Sequence, residues 1–352
     1  MIVIAEDRAS HRVGVQIAVA SIARHCPGAD VVLHCPWADE RFEEWARDRG
    51  VSTLHRSGVP RGAGWNVKPS LLLQHLRAGH DEVVWVDADV LTHRDWRPLL
   101  AGVGEDVLVA TEETYWGQAQ GGTHRTRAWG LEVGRSMPRT VNTGLVRVTS
   151  AHVELLEAWA AMLQEPTYRE AQQQDWTRRP LHLLGDQEVL TALLGSAQFA
   201  AVPLRLLRQG VEIAQCYGPA GFTPRDRLTA ALPGRSVPPL VHAMGVKPWE
   251  RRARSGALGK LRSRYEEMHS LTSPYAVLAA AYRDELLADT SWMPRLPLGR
   301  GGERAASLAE LPLATVDHAV RAARRVLGIG RYEIATDLRD VGAPSPSPLR
   351  SR

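Results

Sequence analysis

Val83-Val84-Trp85-Val86-Asp87-Ala88-Asp89-Val90 is the stretch on which the reading of this chain turns. Four apolar or aromatic residues in a row predict a parallel strand buried on both faces. Two carboxylates follow with one residue between them. In extended chain, residues two apart point to the same side, so Asp87 and Asp89 can converge on one point. A hard divalent cation held by carboxylate oxygens is the simplest occupant of that point. In open α/β sheets, ligands lie off the carboxyl ends of strands, where this pair falls. A strand that merely closes in a polar turn would carry the same letters, so the pair needs support from elsewhere in the sequence.

Upstream, residues 2–5 read as a short buried strand. Ser10 is placed to cap a helix from about 11 to 25, which Pro27-Gly28 ends. Val31-Val32-Leu33 forms a second strand, residues 39–49 a helix and residues 51–54 a third strand. Strand, helix, strand, helix, strand opens a doubly wound sheet. A loop holding Gly58, Pro60, Gly62 and Gly64 leads to Trp65-Asn66-Val67-Lys68-Pro69. A helix from Ser70 to Ala78, ended by Gly79, then feeds the aspartate strand.

Downstream, residues 107–110 form a strand, and the thirty residues after it read as an irregular, mobile segment over a site. Residues 141–148 return to strand, Ser150 caps a helix, and Gly185-Asp186 opens another helix through Leu194. Residues 239–242 are a late strand. Beyond about 250 the character changes. Arg251, Arg252, Arg254, Lys260, Arg262 and Arg264 come with no acid between the first and last. Helical stretches follow near 275–288 and 314–327, the second placing Val316, Val320, Ala323 and Leu327 on one face. The proline- and serine-rich end is expected to be disordered.

With 352 residues, 44% hydrophobic and 23% charged, the chain has the composition of a globular protein large enough for one big α/β domain with an appendage. The three cysteines, Cys26, Cys35 and Cys216, make neither a CxxC pair nor an even disulfide set, which favours a reducing compartment. The N-terminus turns acidic within a few residues and no apolar run reaches the ~18 residues of a membrane span. A net charge of +4 suits anionic partners but is too small to imply nucleic acid.

Four further patterns join the aspartate pair. Asn142-Thr143-Gly144 stands at a strand entrance, where Asn and Gly also favour a plain turn. Asp186-Gln187 stands at a helix start, where Asp is also a preferred cap. His242 ends the late strand and is followed by Gly245, Lys247 and Trp249. Lys68 precedes the helix leading to the aspartates. Together they make one chemistry. Asp87, Asp89 and His242 supply two oxygens and a nitrogen, a set suited to Mn2+ or Mg2+. Lys68 and Lys247 add positive charge around a diphosphate, and Gly245 lets backbone approach phosphate oxygens. A metal with lysines would stabilise a departing diphosphate. Asn142, Asp186 and Gln187 would face what the diphosphate carries.

This ordered set, Asp-Ala-Asp, Asn-Thr-Gly, Asp-Gln and His-x-x-Gly with Lys-Pro-Trp, resembles glycosyltransferase family 8. These are retaining enzymes of GT-A fold related to glycogenin and to bacterial lipopolysaccharide galactosyl- and glucosyltransferases. The similarity spans about residues 1–250. It implies a UDP-sugar donor, most often UDP-glucose or UDP-galactose, and Mn2+. Carried over by position, Ala5 and Asp7 would meet the uracil and Lys68 the donor phosphates or sugar. Asp87 and Ala88 would lie along the ribose, and Asp87, Asp89 and His242 would bind the metal. Asn142 and Gly144 would line the sugar pocket, Asp186 and Gln187 would stand near the reacting carbon, and Gly245 and Lys247 would hold the diphosphate. The glycine-to-lysine spacing in the last motif is one residue shorter here than is usual in the family.

The expected architecture is therefore α/β, a GT-A nucleotide-diphospho-sugar transferase fold with a doubly wound, mostly parallel sheet. It divides into a transferase domain at 1–250, a helical basic C-terminal extension at 251–340 and a disordered tail at 341–352. The acceptor, a glycan, a lipid-linked sugar or a small molecule, has no signature. The expected location is cytoplasmic. Some family members bind membranes through a basic amphipathic C-terminal region similar in composition to this one, so peripheral contact is included, although the arginine run reads first as a solvated face.

Three rivals are weighed. A sugar-nucleotide pyrophosphorylase needs a glycine-rich basic loop after the first strand, and Ala5-Glu6-Asp7-Arg8 has no glycine. An inverting GT-A transferase needs a carboxylate base near the acceptor, which Glu112 or Glu113 could supply. A non-catalytic carbohydrate- or anion-binding protein could use the eleven tryptophans and the arginine cluster.

Overall fold

The computed structural model describes residues 1–57, 64–115, 118–216, 222–245, 247–250, 273–293, 304, 308 and 311–327. The glycine-rich loop at 58–63, the arginine run from 251 to 264 and the C-terminal tail lie outside the described residues.

The opening follows the expected alternation: β1 (Ile2–Ala5), α1 (Arg12–His25), β2 (Val31–His34), α2 (Glu40–Arg47) and β3 (Val51–His55). α3 (Lys68–Arg77) leads into β4 (Glu82–Val86), and β5 (Val90–Thr92) follows the two aspartates directly. Then come β6 (Leu108–Glu112), β7 (Gln120–Gly122), α4 (His124–Ala128), β8 (Met137–Arg139) and β9 (Val141–Thr149). α5 (Val153–Met162), α6 (Pro166–Gln172) and α7 (Asp186–Gly195) are followed by β10 (Leu204–Leu207), β11 (Ile213–Cys216), α8 (Pro224–Ala231) and β12 (Leu240–Ala243). α9 (Pro274–Ala279) continues as a tighter helix to Glu285, and α10 (Leu311–Val326) is the last element.

Seven strands form one sheet in the order β3-β2-β1-β4-β9-β6-β10, mixed α/β and mostly parallel, with β9 antiparallel to both its neighbours. A three-stranded sheet, β11-β12-β5, stands beside it. The period-two alternation of strands divides the core in two. Ile2, Ile4, Val84 and Val86 face one side with α1 and α2, while Val3, Val83 and Trp85 face the other with α3, α5 and α7. Gly14 brings α1 close under the aspartates, since a Cβ there would stand 2.9 Å from the Ala88 carbonyl oxygen.

Several local expectations are corrected. Ser10 caps nothing: a one-turn helix at Ala9–His11 precedes α1, and the Ser10 hydroxyl pairs with His11 Nδ1 at 3.2 Å. α3 starts at Lys68 because Pro69 falls in the first turn, where a missing N–H costs nothing. Thr149, not Ser150, supplies the cap before α5, paired with His152 in a capping box. The segment after β6 lines the cleft through Glu113, Tyr115 and Gln118, and its described residues are only partly irregular. It holds the antiparallel pair β7–β8 with α4 between the two strands, and buried Arg125 donates to the carbonyls of Gln118 and Gln120 while Thr126 bonds Ala192 of α7. β10, β11 and α8 were not anticipated, because Leu204–Leu207 and Ile213–Cys216 are too short and interrupted by Arg205 and Gln215 to show a period.

Tyr275, Leu278, Tyr282, Trp292 and Met293 belong to the same core cluster as α1 and β12. α10 packs on α8, burying Ala314, yet Val316, Val320 and Leu327 are exposed. All three cysteines are buried and free. Among the described residues, no helix is long and apolar enough to cross a membrane.

Candidate active site

The aspartates leave β4 where β9 and β5 can meet them. Asp87 N–H donates to the Gly144 carbonyl at 2.8 Å, joining the first motif to the second. β5 begins one residue after Asp89 and pairs antiparallel with β12, which sets His242 opposite Val90. Two residues about 150 positions apart in sequence are thus made neighbours by one strand pairing. The ligand atoms of Asp87, Asp89 and His242 lie within 4.8 Å of one another. His242 Nε2 stands 3.2 Å from Asp89 Oδ1, and its buried Nδ1 has no partner among the described residues. Gly144 is the floor of this ring: a Cβ there would come within 2.5 Å of His242 Cε1. Two carboxylates and one imidazole, with an orphaned ring nitrogen, fit a manganese or magnesium ion.

Both lysines are already committed to these acids. Lys68 is 2% exposed. Its Nζ contacts Asp87 Oδ1 at 3.0 Å, Thr143 Oγ1 at 2.9 Å and Asp186 Oδ2 at 3.5 Å. Burial opposes its charge, but Asp186 and Asp87 outweigh burial and raise its pKa. Lys247 Nζ holds Asp89 Oδ2 and also donates to the Ala243 carbonyl at 2.7 Å. Burial works to raise the Asp89 carboxyl, yet Lys247 and His242 pull it well below the ordinary carboxylate range. The Lys247 ammonium therefore stands where a cation belongs. The shorter glycine-to-lysine spacing has not kept it out of the site.

Asn142 enters the cleft through an irregularity. β6 pairs Ala110 with Val146 and then Thr111 with Asn142, so residues 143–145 of β9 are looped out of that register. Asn142 Oδ1 accepts from Gly144 N–H at 2.9 Å and Thr111 Oγ1 at 3.0 Å, which leaves its Nδ2 to donate to Glu113 Oε2 at 3.0 Å. Gln187 Nε2 donates to the same Glu113 oxygen at 3.0 Å, and also lies 3.2 Å from Gln118 Oε1 and 3.3 Å from Glu188 Oε1. Glu113 in turn accepts from Tyr115 N–H at 2.6 Å. One buried carboxylate thus fixes which way two amides point, and the Gln187 carbonyl accepts from Asn142 Nδ2 at 3.4 Å.

Asp186 does not cap α7. The N-cap is Gly185, and the Asp186 carboxylate accepts from Thr143 Oγ1 at 2.8 Å. Burial raises its pKa, with Lys68 and Thr143 opposing. Glu188 is pushed up to about 8 by burial, against the pull of Arg125.

All of these groups open on one cleft of about 760 Å³. Ala5, Asp7 and Ala88 line it on the side of β1 and β4, and Gly245 and Lys247 on the side of β12. Asn142, Gly144, Asp186 and Gln187 form its far wall. Of the candidate site residues read from the sequence, all but Glu112 lie on this cleft. Four that sequence reasoning did not place there as site residues are Trp85, whose Nε1 donates to Asp87 Oδ1 at 2.6 Å, and Thr143, Gln118 and Glu188. Glu113 is marked in the sequence only as a candidate base for an inverting enzyme. Trp85 and Thr143 sit inside recognised motifs, but nothing local marks Gln118 or Glu188.

No family model matches the sequence, and no curated protein matches it. Solved structures of similar fold include the galactosyltransferase LgtC in complex with donor and acceptor sugar analogues. It is 17% identical, with 81% of this chain and 99% of that chain covered and a TM-score of 0.48. The glycosyltransferase GlyE of Streptococcus pneumoniae is 14% identical over 81% of this chain and 63% of its own, with a TM-score of 0.46. Mouse xyloside xylosyltransferase 1 is 12% identical over 69% of this chain and 96% of its own, with a TM-score of 0.42. At such identities and scores the likeness is one of fold, and the chemistry must be read from this chain's own residues.

Proposed function

We propose that this chain is a metal-dependent glycosyltransferase that moves a hexose from a UDP-sugar, UDP-glucose or UDP-galactose, to an acceptor hydroxyl with retention. Residues 1–250 carry the chemistry and residues 273–293 buttress it. The observation that carries the reading is the convergence of Asp87, Asp89 and His242 beside two lysines and an amide pair on one cleft. Asp87, Asp89 and His242 would hold Mn2+ or Mg2+, which supplies Lewis-acid stabilisation of the diphosphate. With a metal held there, Lys247 would turn its ammonium, on its flexible stem, from Asp89 toward the diphosphate. Gly245, with φ at 70°, gives the backbone a left-handed turn that lets the diphosphate come close. Lys68 neutralises Asp87 and Asp186 and keeps both carboxylates oriented. Ala5 and Asp7 meet the base, and Ala88 lies along the ribose.

Asn142 and Gly144 line the sugar pocket. The Gln187 carbonyl, oriented by Glu113, faces the anomeric carbon and stabilises the positive charge that develops there. An amide is a weak nucleophile, so the acceptor hydroxyl attacks from the leaving-group side and its proton passes to the diphosphate oxygen. An inverting route is disfavoured by the acids themselves. Glu113 is occupied by three donors, and Glu112 accepts from Gln209 N–H at 2.8 Å. The location proposed is cytoplasmic, with peripheral membrane contact through the basic C-terminal region, where Val316 and Val320 are exposed on the helix that carries Arg321 and Arg324.

Thermal stability with UDP plus Mn2+, each alone, and ADP or GDP plus Mn2+ tests the reading in wild type, Asp89→Ala and Asp89→Asn. A ligand at a hundred times its dissociation constant adds ~2.7 kcal/mol. The expected result is stabilisation by UDP that needs both the metal and Asp89. Preference for another nucleotide would overturn the UDP assignment, and no shift with any nucleotide would leave a non-catalytic binding protein.

A further inference from the structure

Trp65 and Trp176 stand apart from the other aromatic residues. Tryptophan is usually well buried, and Trp85, Trp96 and Trp159 follow that rule here. Trp65 is 46% exposed and Trp176 49%, the only aromatic side chains among the large exposed hydrophobics of the described residues. Both line the cleft, whereas none of the aliphatic members of that group does.

Both are held in place by other groups. Trp65 lies in the one-turn helix Gly64–Val67 that feeds α3. The Tyr168 hydroxyl donates to Asn66 Oδ1 at 2.7 Å, which anchors the turn that carries the indole. About half of the Trp65 side chain stays open. A side chain at Gly185 would come to 3.8 Å from Trp65 Nε1, which puts the ring beside the residue that opens α7 with Asp186 and Gln187. Trp176 lies on the stretch between α6 and α7, and that stretch is stapled by Arg179. The guanidinium donates to the carbonyls of Gln172, Gln174 and Leu184, and to the Gln172 side chain. Gln172 Nε2 closes the staple on the Leu183 carbonyl at 2.7 Å.

We propose that Trp65 and Trp176 form the acceptor platform of this cleft and that the acceptor they receive is a pyranose ring, so that the protein glycosylates a sugar. The inference rests on the glycosyltransferase reading and narrows its acceptor class. A pyranose presents axial C–H groups on one face and hydroxyls around its rim. The C–H face suits the flat apolar surface of indole, and the rim suits the polar side chains of Gln174, Asp175 and Gln118 on the same cleft. An acyl chain would gain from the tryptophans but offers the polar rim no hydrogen bond. The platform adjoins the Asp186-Gln187 end of the cleft, so a hydroxyl of the stacked ring faces the carbon to be attacked.

Saturation-transfer NMR on the full chain, with and without UDP plus Mn2+, tests this. The probes are the methyl α- and β-pyranosides of glucose, galactose and mannose, with octanol as an apolar probe. At least one pyranoside is expected to take up saturation at its ring C–H protons. That signal should fall about tenfold in Trp65→Ala and Trp176→Ala and persist in Trp65→Phe and Trp176→Phe. The UDP-Mn2+ thermal shift serves as the fold control in all four variants. No pyranoside signal, a signal indifferent to both alanine variants, or a signal from octanol alone would each overturn the proposal. A wild type without the nucleotide shift but with a tryptophan-dependent pyranoside signal would sink the transferase reading and keep the sugar platform.

Discussion

Glu113 and Gly144 show how single positions shape this site without facing the nucleotide themselves. Glu113 accepts from both Asn142 and Gln187, so it sets the orientation of two amides that could otherwise flip. Replacing it with Gln offers an amide that can donate as well as accept, and the Gln187 carbonyl loses its fixed direction. A charge-assisted hydrogen bond is worth ~1.5–3 kcal/mol, so kcat of Glu113→Gln should fall by about tenfold to a hundredfold while the nucleotide-dependent thermal shift stays. Gly144→Ala acts on the metal instead. Its Cβ would collide with the His242 ring at 2.5 Å, and the ring must turn out of place. Mn2+ affinity, measured by calorimetry, should drop by ~10–100-fold, as when a group that orients a metal ligand is lost. Unchanged Mn2+ affinity in that variant would remove His242 from the metal set.

At the scale of elements, the edge formed by β2, β3 and α3 carries histidines away from the cleft. His34 and His75 are buried and their Nε2 atoms lie 3.0 Å apart, while His55 stacks on His34 at 4.4 Å. Burial, reinforced by His55 and His75, pushes His34 down to about 3. Burial, with His80 and His55 adding and Asp30 opposing, pushes His75 down to about 4. Both folded values lie below the ordinary histidine value of about 6.5. The unfolded chain therefore binds more protons between that value and the folded ones, and stability is whole above the window and lost as pH falls through it. Wild-type Tm should decline between pH 6.5 and 4 more steeply than that of His75→Gln. Parallel curves would mean that the histidine edge makes no contribution to acid sensitivity.

At the scale of the molecule, residues 273–293 are part of the core. Tyr275 and Trp292 are buried against the cluster that holds α1 and β12, and Trp45 Nε1 donates to the Glu285 carbonyl at 2.7 Å. Losing a buried aromatic costs ~3–5 kcal/mol, and whole domains are stable by only ~5–15 kcal/mol. A chain ending at residue 272 is expected to be insoluble or to melt far below the full chain. One ending at residue 310 should keep a cooperative transition, since among the described residues α10 sets only Ala314 fully into the interior. Soluble yield and Tm of the two truncations check this.

By itself, the sequence determined which residues line the cleft and the parts of the sheet that carry them. The apolar run into Asp87 and Asp89, the alternation of β1 to β3, and the placements of Asn142, Asp186 and His242 are all local patterns. A strand end or helix start is fixed by a few neighbouring residues, and a few residues suffice to read it. Tertiary structure decided what those patterns cannot hold. The pairing of β5 with β12 brought His242 to the aspartates. The irregular register of β9 against β6 turned Asn142 and Gly144 into the cleft. Packing of α7 against β9 made Glu113 the hub of an amide network and gave Asp186 a partner in Thr143 rather than a cap. Such contacts join segments up to about 150 residues apart, and no period in the sequence records which of two distant strands will meet or in which register.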